Sequence, residues 1–229
     1  MSRIVETASY LPMLLRASLV NLELLAALAG LGFLVGTATA LTQSYARKPA
    51  RAFAKTFEWV FRGIPALVLL FLFYFGPAQF GIRVSSLTAA SIALGLRSAA
   101  YQSQILRGAL ESVASGQMVA ARSLGMSRRC AIRKVILPQA FRLALPGWAN
   151  ELSAVVKDTT LAYAVGLNDV MRTARVIYDR HYELAMPALL LVALLFLLLT
   201  EGSTALLALA ERRTRIPAAS IAETMRIAR

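Results

Sequence analysis

Charge is scarce in this sequence, and acid is scarcer still. Only 16% of its 229 residues are charged, with 12 acidic residues against 25 basic ones. Apolar residues make up 58%, and the mean hydropathy is +0.61. This balance excludes an ordinary soluble domain and fits a membrane domain of four to six spans. One cysteine, Cys130, and one histidine, His181, leave no internal disulfide and no metal site built from His and Cys. Cys130 is expected as a small buried apolar residue, and His181 as a solvated loop residue. No Ser/His/Asp set can be assembled, and no acid pair for hydrolysis stands out, so the chain is not expected to be an enzyme. The four lysines are Lys48, Lys55, Lys134 and Lys157, and none follows a glycine. A P-loop needs Gly-Lys before Ser or Thr, so any ATP would be bound by a partner. No cleavable signal is expected, because Glu6 and Pro12 interrupt the N-terminus. Without an internal repeat, a Gly/Ser linker or a low-complexity stretch, one domain covering residues 1–229 is expected.

The apolar runs predict five membrane-spanning helices, at about 19–41, 59–75, 86–106, 141–156 and 184–210, in an all-α fold. Gly30, Gly32 and Gly36 in the first span suit close helix packing. Thr42 to Glu58 is expected as a polar loop. Arg62-Gly63-Ile64-Pro65 predicts a bend or a helix start, since proline removes a backbone donor. The net charge of +13 sits between the apolar runs instead of along one soluble face, which excludes nucleic acid as the partner. Seventeen basic residues fall in residues 42–62, 107–142 and the tail, and seven in residues 1–18, 76–85 and 157–183. Positive residues stay cytoplasmic, so the N-terminus is expected outside and the C-terminus inside.

Polar residues at membrane depth point to function. Arg97 lies deep in the third expected span, followed by Tyr101, Gln102 and Gln104. A cation at that depth must face protein or water. It either contacts an anion in a pathway or pairs structurally with Glu23 or Glu151. A second group comprises Asn150, Glu151, Lys157, Asp158, Thr159 and Thr160. Asn150, Ser153, Ala154 and Lys157 share one helical face, and Pro146 lies one turn earlier. Such a group marks a substrate pathway or a structural network. Between the spans, Gln117 to Leu124 forms a short helix bracketed by Gly116 and Gly125. Gly125 suits a left-handed C-cap. Ala120, Ala121 and Ser123 would let that helix lie in a cleft of another protein, whereas Arg122, Arg128 and Arg129 would equally suit it to lipid headgroups.

The run from Gly116 to Gly125, followed by Ile136-Leu137-Pro138-Gln139-Ala140, resembles the EAA signature of bacterial ABC-importer permeases. Arg62-Gly63-Ile64-Pro65 is similar to the RGTP stretch of the polar amino-acid uptake class. Ala100-Tyr101, Ile105 to Gly108, Leu145-Pro146, Asn150-Glu151, Lys157 to Leu161 and Gly166 to Val170 resemble that class too. The resemblance implies the type I permease fold in the bacterial inner membrane, N-out and C-in. It implies a second permease chain, the same or a sister subunit, and two cytoplasmic ATPases that bind ATP and Mg. An extracytoplasmic binding protein would deliver the substrate. This chain itself would hold no cofactor. By position, Gln117 and Val119, Ala120, Ala121, Arg122, Ser123, Leu124 and Gly125 form the coupling helix, at about 117–125. The substrate-contact candidates are Arg97, Tyr101, Asn150, Glu151, Lys157, Asp158, Thr159 and Thr160. Arg97 would meet a carboxylate, and Glu151 and Asp158 an ammonium or guanidinium. The expected cargo is a polar, basic or zwitterionic amino acid or an opine-like derivative, moved by alternating access. A self-sufficient secondary carrier or channel is the competing reading, and the lack of inverted halves speaks against it. Two positions depart from the family pattern. Val119 stands where the signature has glutamate, and Gln104 replaces the glutamate of a Tyr-x-x-Glu pattern. Such losses are expected where a sister permease keeps the usual residues.

Overall fold

The computed structural model describes residues 9–214, with side chains to residue 209. Every regular element among them is helical. In chain order these are α1 (Leu11–Tyr45), α2 (Lys48–Gly63), α3 (Ala66–Phe75), α4 (Ser86–Ser112), α5 (Ser115–Ser123), α6 (Arg128–Ala131), α7 (Leu137–Asp158), α8 (Val170–Arg180) and α9 (Ala185–Thr214). A π turn, Ile132–Ile136, joins α6 to α7, and a 3-10 segment, Thr159–Val165, follows α7.

Helix α1 is the spine. Leu14, Leu24, Leu28 and Ala40 along it are buried in three successive apolar clusters. The first cluster joins α1 to α7, α8 and α9, the second to α3, α4 and α7, and the third to α4 and α7. Its closest neighbour is α4, and Gly36 explains how they approach. A Cβ there would lie 2.8 Å from the Ala99 carbonyl oxygen, so only glycine lets the two backbones come this close.

Helix boundaries differ from the expected spans for identifiable reasons. The first helix starts at Leu11, not near residue 19, because Pro12 occupies its first turn, where no backbone donor is needed. Pro138 likewise opens α7. The stretch expected as a polar loop is instead the amphipathic helix α2, with Lys48, Arg51, Lys55, Glu58 and Arg62 on one face. The expected span 59–75 is divided. Ile64, which precedes Pro65, is held extended at φ −92° and ψ 133°, and α2 meets the helical segment after it at 103°. Residues 159–165 and 170–180, within the expected polar stretch 157–183, are helical too.

Two single helices are long and apolar enough to cross a membrane, Leu11–Tyr45 and Tyr182–Leu209. The bent α2–α3 pair adds a third if it counts as one broken span. Helices α4 and α7 are long enough, at 27 and 22 residues, but carry Arg97, Arg142, Glu151 and Lys157. The tail arginines, Arg3 and Glu6 of the charge count lie outside the residues with described side chains.

Candidate functional site

Helix α4 starts cleanly because Ser85 caps it, accepting a hydrogen bond from the Thr88 N–H at 3.1 Å. From there it carries a row of polar side chains through the apolar interior. One turn of spacing puts Arg97 and Tyr101 on the same face. The Arg97 guanidinium lies 4.9 Å from the centre of the Tyr101 ring, and Arg62 of α2 lies 5.1 Å from it. Tyr101 therefore spans two cations through its ring. Arg97 Nη1 donates to Asp158 Oδ2 at 2.5 Å, across from α4 to the end of α7. Both partners keep about a quarter of their side-chain surface exposed, 23% and 27%. Asp158, and not the expected Glu23 or Glu151, is thus the ion-pair partner of Arg97. Glu23 is exposed on α1.

Glu151 sits two turns before Asp158 on α7 and faces the same neighbour. It accepts a hydrogen bond from Ser98 Oγ at 3.0 Å, and Ser98 in turn accepts one from Gln102 Nε2 at 3.1 Å. Glu151 and Gln102 open onto a cavity of about 390 Å³ between α1, α4, α7 and α9. Its walls are otherwise apolar, with Phe33, Trp148, Val155 and Leu207 among them. The indole N–H of Trp148 is buried and has no hydrogen-bond partner among the described residues. The cavity can thus offer a carboxylate and an amide within an oily lining, the usual make-up of a small-molecule site.

The remaining candidates separate. Asn150 and Lys157 are exposed, roughly 100° round α7 from Glu151 and Asp158. Thr159 is buried and structural. Its hydroxyl accepts from Asn21 Nδ2 at 3.1 Å, and Asn21 Oδ1 accepts the Val170 N–H at 3.0 Å. Asn21 of α1 thereby clamps the end of α7 to the start of α8. Asp169 caps α8 by accepting the Arg172 N–H at 2.8 Å. Burial pushes its carboxyl above the usual range, opposed by the N–H groups it accepts. Thr160 Oγ1 donates to the Lys157 carbonyl at 2.7 Å.

Sequence reasoning missed a second polar cluster at the Ser112 end of α4. Glu58 of α2 is buried. Its Oε2 accepts from Gln43 Nε2 at 2.6 Å and Ser103 Oγ at 3.3 Å. Its Oε1 lies 3.6 Å from Arg62 and 3.9 Å from Arg107. The signal was present in the helical spacing of 48, 51, 55, 58 and 62, which places a lone acid within a basic stripe.

The short helix between α4 and α7 starts and ends two residues earlier than expected, at Ser115–Ser123. Gly125 adopts φ +80° just beyond it. The Gly125 N–H donates to the Arg122 carbonyl at 3.0 Å, and the Met126 N–H to the Ala121 carbonyl at 3.1 Å. This paired return is a Schellman cap. Ala121 is buried, and Met118 packs against the third apolar cluster. Gln117, Val119, Ala120, Arg122, Ser123 and Leu124 are exposed, so the helix is held by one face and free on the other.

Comparison with known proteins agrees with this architecture. Residues 30–216 match the family described as binding-protein-dependent transport system inner membrane component. The probable amino-acid ABC transporter permease protein YckA of Bacillus subtilis is 40% identical over 165 residues, 70% of this chain and 73% of that one. The nopaline transport system permease protein NocM of Agrobacterium fabrum is 32% identical, over 79% of each chain. A crystal structure of an amino acid ABC transporter with histidines superposes with a TM-score of 0.84 at 33% identity, covering 92% of this chain and 98% of that one. The inward-facing MetNI methionine ABC transporter shares the fold, with a TM-score of 0.70 at 20% identity. This chain belongs to the binding-protein-dependent transport system inner membrane component family, among its amino-acid ABC-importer permeases.

Proposed function

We propose that this chain is the permease subunit through which an ABC importer passes a polar amino acid, basic or zwitterionic, or an opine-like derivative. It crosses the bacterial inner membrane five times, N-terminus out and C-terminus in. It pairs with a second permease chain, identical or sister, and receives substrate from an extracytoplasmic binding protein. Two ATPase subunits hold ATP and Mg on the cytoplasmic side, hydrolyse the nucleotide and drive alternating access. They dock on the free face of α5, including Val119, Ala120, Ser123 and Leu124.

The observation that carries this reading is the charge arrangement between α4 and α7. Arg97 and Asp158 form a partly exposed ion pair, and Glu151 lies on the same side of α7 at the cavity. An amino acid carries complementary groups for both signs: its carboxylate competes for Arg97, and its cationic end competes for Asp158 and Glu151. When substrate is absent, Arg97 and Asp158 hold each other, with part of each side chain still exposed. Tyr101 holds Arg97 in place through its ring.

The test is uptake by the chain assembled with its ATPase and binding protein, challenged with labelled and competing amino acids. Glu151→Gln is expected to cut uptake about ten-fold or more, a change of about 1.4 kcal/mol, while assembly stays intact. Normal uptake by that variant removes Glu151 from the pathway. Uptake by the permease without any ATPase would establish a self-sufficient carrier instead.

A further inference from the structure

The second polar cluster borders a pocket that the transport reading does not use. Lys55, Glu58, Trp59 and Arg62 of α2, Gln43 of α1 and Arg107 of α4 enclose a pocket of about 290 Å³. Three of these residues are cations and one is an acid. Glu58 is turned inward and shared among Gln43, Ser103, Arg62 and Arg107. One carboxylate cannot satisfy two guanidiniums. Arg107 also pairs with Glu111 at 3.3 Å, outside the pocket lining, and its buried Nε–H has no partner among the described residues. Lys55 is exposed at the mouth. The pocket is therefore rich in donors and carries a positive surplus.

Its position selects the ligand. Gln43 lies in the last turn of α1, a helix long and apolar enough to cross the bilayer. Arg107 lies near the end of α4. Helix α2 meets the segment containing α3 at 103°, so where α3 crosses the membrane, α2 runs close to the membrane plane. Its aromatic residues Phe53 and Trp59 are 77% and 76% exposed, with Trp59 lining the pocket. Tryptophan and basic side chains on a helix lying in the interface meet the phosphate layer of the lipid. We propose that this pocket binds the phosphate of an anionic phospholipid headgroup, held by Lys55, Arg62 and Arg107. The proposal does not depend on what the permease carries.

The experiment places the assembled transporter in bilayers of mixed phosphatidylcholine and phosphatidylglycerol. It is then extracted in mild detergent, and retained lipid is counted by native mass spectrometry. Wild type is expected to keep phosphatidylglycerol in preference to phosphatidylcholine. Lys55→Glu is expected to weaken that retention by about five-fold or more, the effect of losing at least one interfacial cation. Lys48→Glu, on the same helix but outside the pocket, is expected to leave retention unchanged. If Lys55→Glu does not assemble, Lys55→Gln gives the same comparison, and the wild-type preference stands as a separate readout. Equal retention of the two lipids by wild type overturns the proposal. So do equal losses in the Lys55 and Lys48 variants, which would mean diffuse surface attraction. Displacement of the lipid by inorganic phosphate alone would make this a free-anion site. A change in subunit pairing with lipid retention intact would make it a subunit contact.

Discussion

The two ends of α4 hold their charges in opposite ways. Toward Ser86, Arg97 and Asp158 form one pair with a quarter of each side chain exposed, and Glu151 is bonded by a single serine. Toward Ser112, Glu58 is buried and has Gln43, Ser103, Arg62 and Arg107 around it. The first arrangement is held loosely enough for a competitor of matching charge to displace it. The second binds three helices, α1, α2 and α4, through one carboxylate, and nothing can replace that carboxylate without leaving several donors unpaired. The number of partners separates an exchangeable carboxylate from one that joins helices: Glu58 is the joint, and the cations around it keep the positive surplus offered to a ligand.

This contrast can be broken at its strongest point first. Glu58→Leu removes the shared acceptor, leaving two guanidiniums, an amide and a hydroxyl without it. A loss on the order of 3 kcal/mol is expected, seen as a large fall in the melting temperature of the purified transporter. A small fall would mean that Glu58 is not a joint. Next comes Asn21→Ala, which deletes the clamp between Thr159 and Val170. A cost of about 1–3 kcal/mol is expected from the unpaired buried groups, measured in the same melts. That result would show that the Asp158 end has its own rigid support, separate from its exchangeable pair. The smallest effect is expected from Tyr101→Phe. It keeps the ring between Arg62 and Arg97, so stability should change by less than about 0.5 kcal/mol, with uptake near wild type. A sharp loss of uptake would show that the hydroxyl, and not the ring, contributes.

Much of this was legible in the sequence, and the gaps have physical causes. Hydrophobic runs and motif order pointed to an all-helical permease, and Gly125 was recognised as a left-handed cap because few other residues tolerate that conformation. Arg97 and Asp158 were both identified as candidates, yet their pairing was not foreseen. They are 61 residues apart, and no local periodicity encodes a contact between α4 and α7. Asn150 and Lys157 share one face of α7 by their spacing, but that spacing does not say that Glu151 and Asp158, on another face, are the residues that meet α4. Thr159 is bonded to Asn21, 138 residues away in the chain, a contact that no local pattern encodes. Glu58 carries no signal as long as Thr42 to Glu58 reads as a polar loop. The basic stripe of α2 disguised an amphipathic helix as a polar connection.

The most direct test measures whether the Arg97–Asp158 pair is exchangeable. Melting curves of the assembled transporter would be taken with and without a transported amino acid, for wild type and for Asp158→Asn. Wild type is expected to melt higher with substrate, as any ligand of the folded state raises stability. Asp158→Asn is expected to melt near wild type without substrate, because a partly exposed pair contributes at most about 1 kcal/mol, and to lose the substrate-induced rise. A variant that melts far lower alone, or that keeps the full rise, would contradict an exchangeable pair at the Ser86 end of α4.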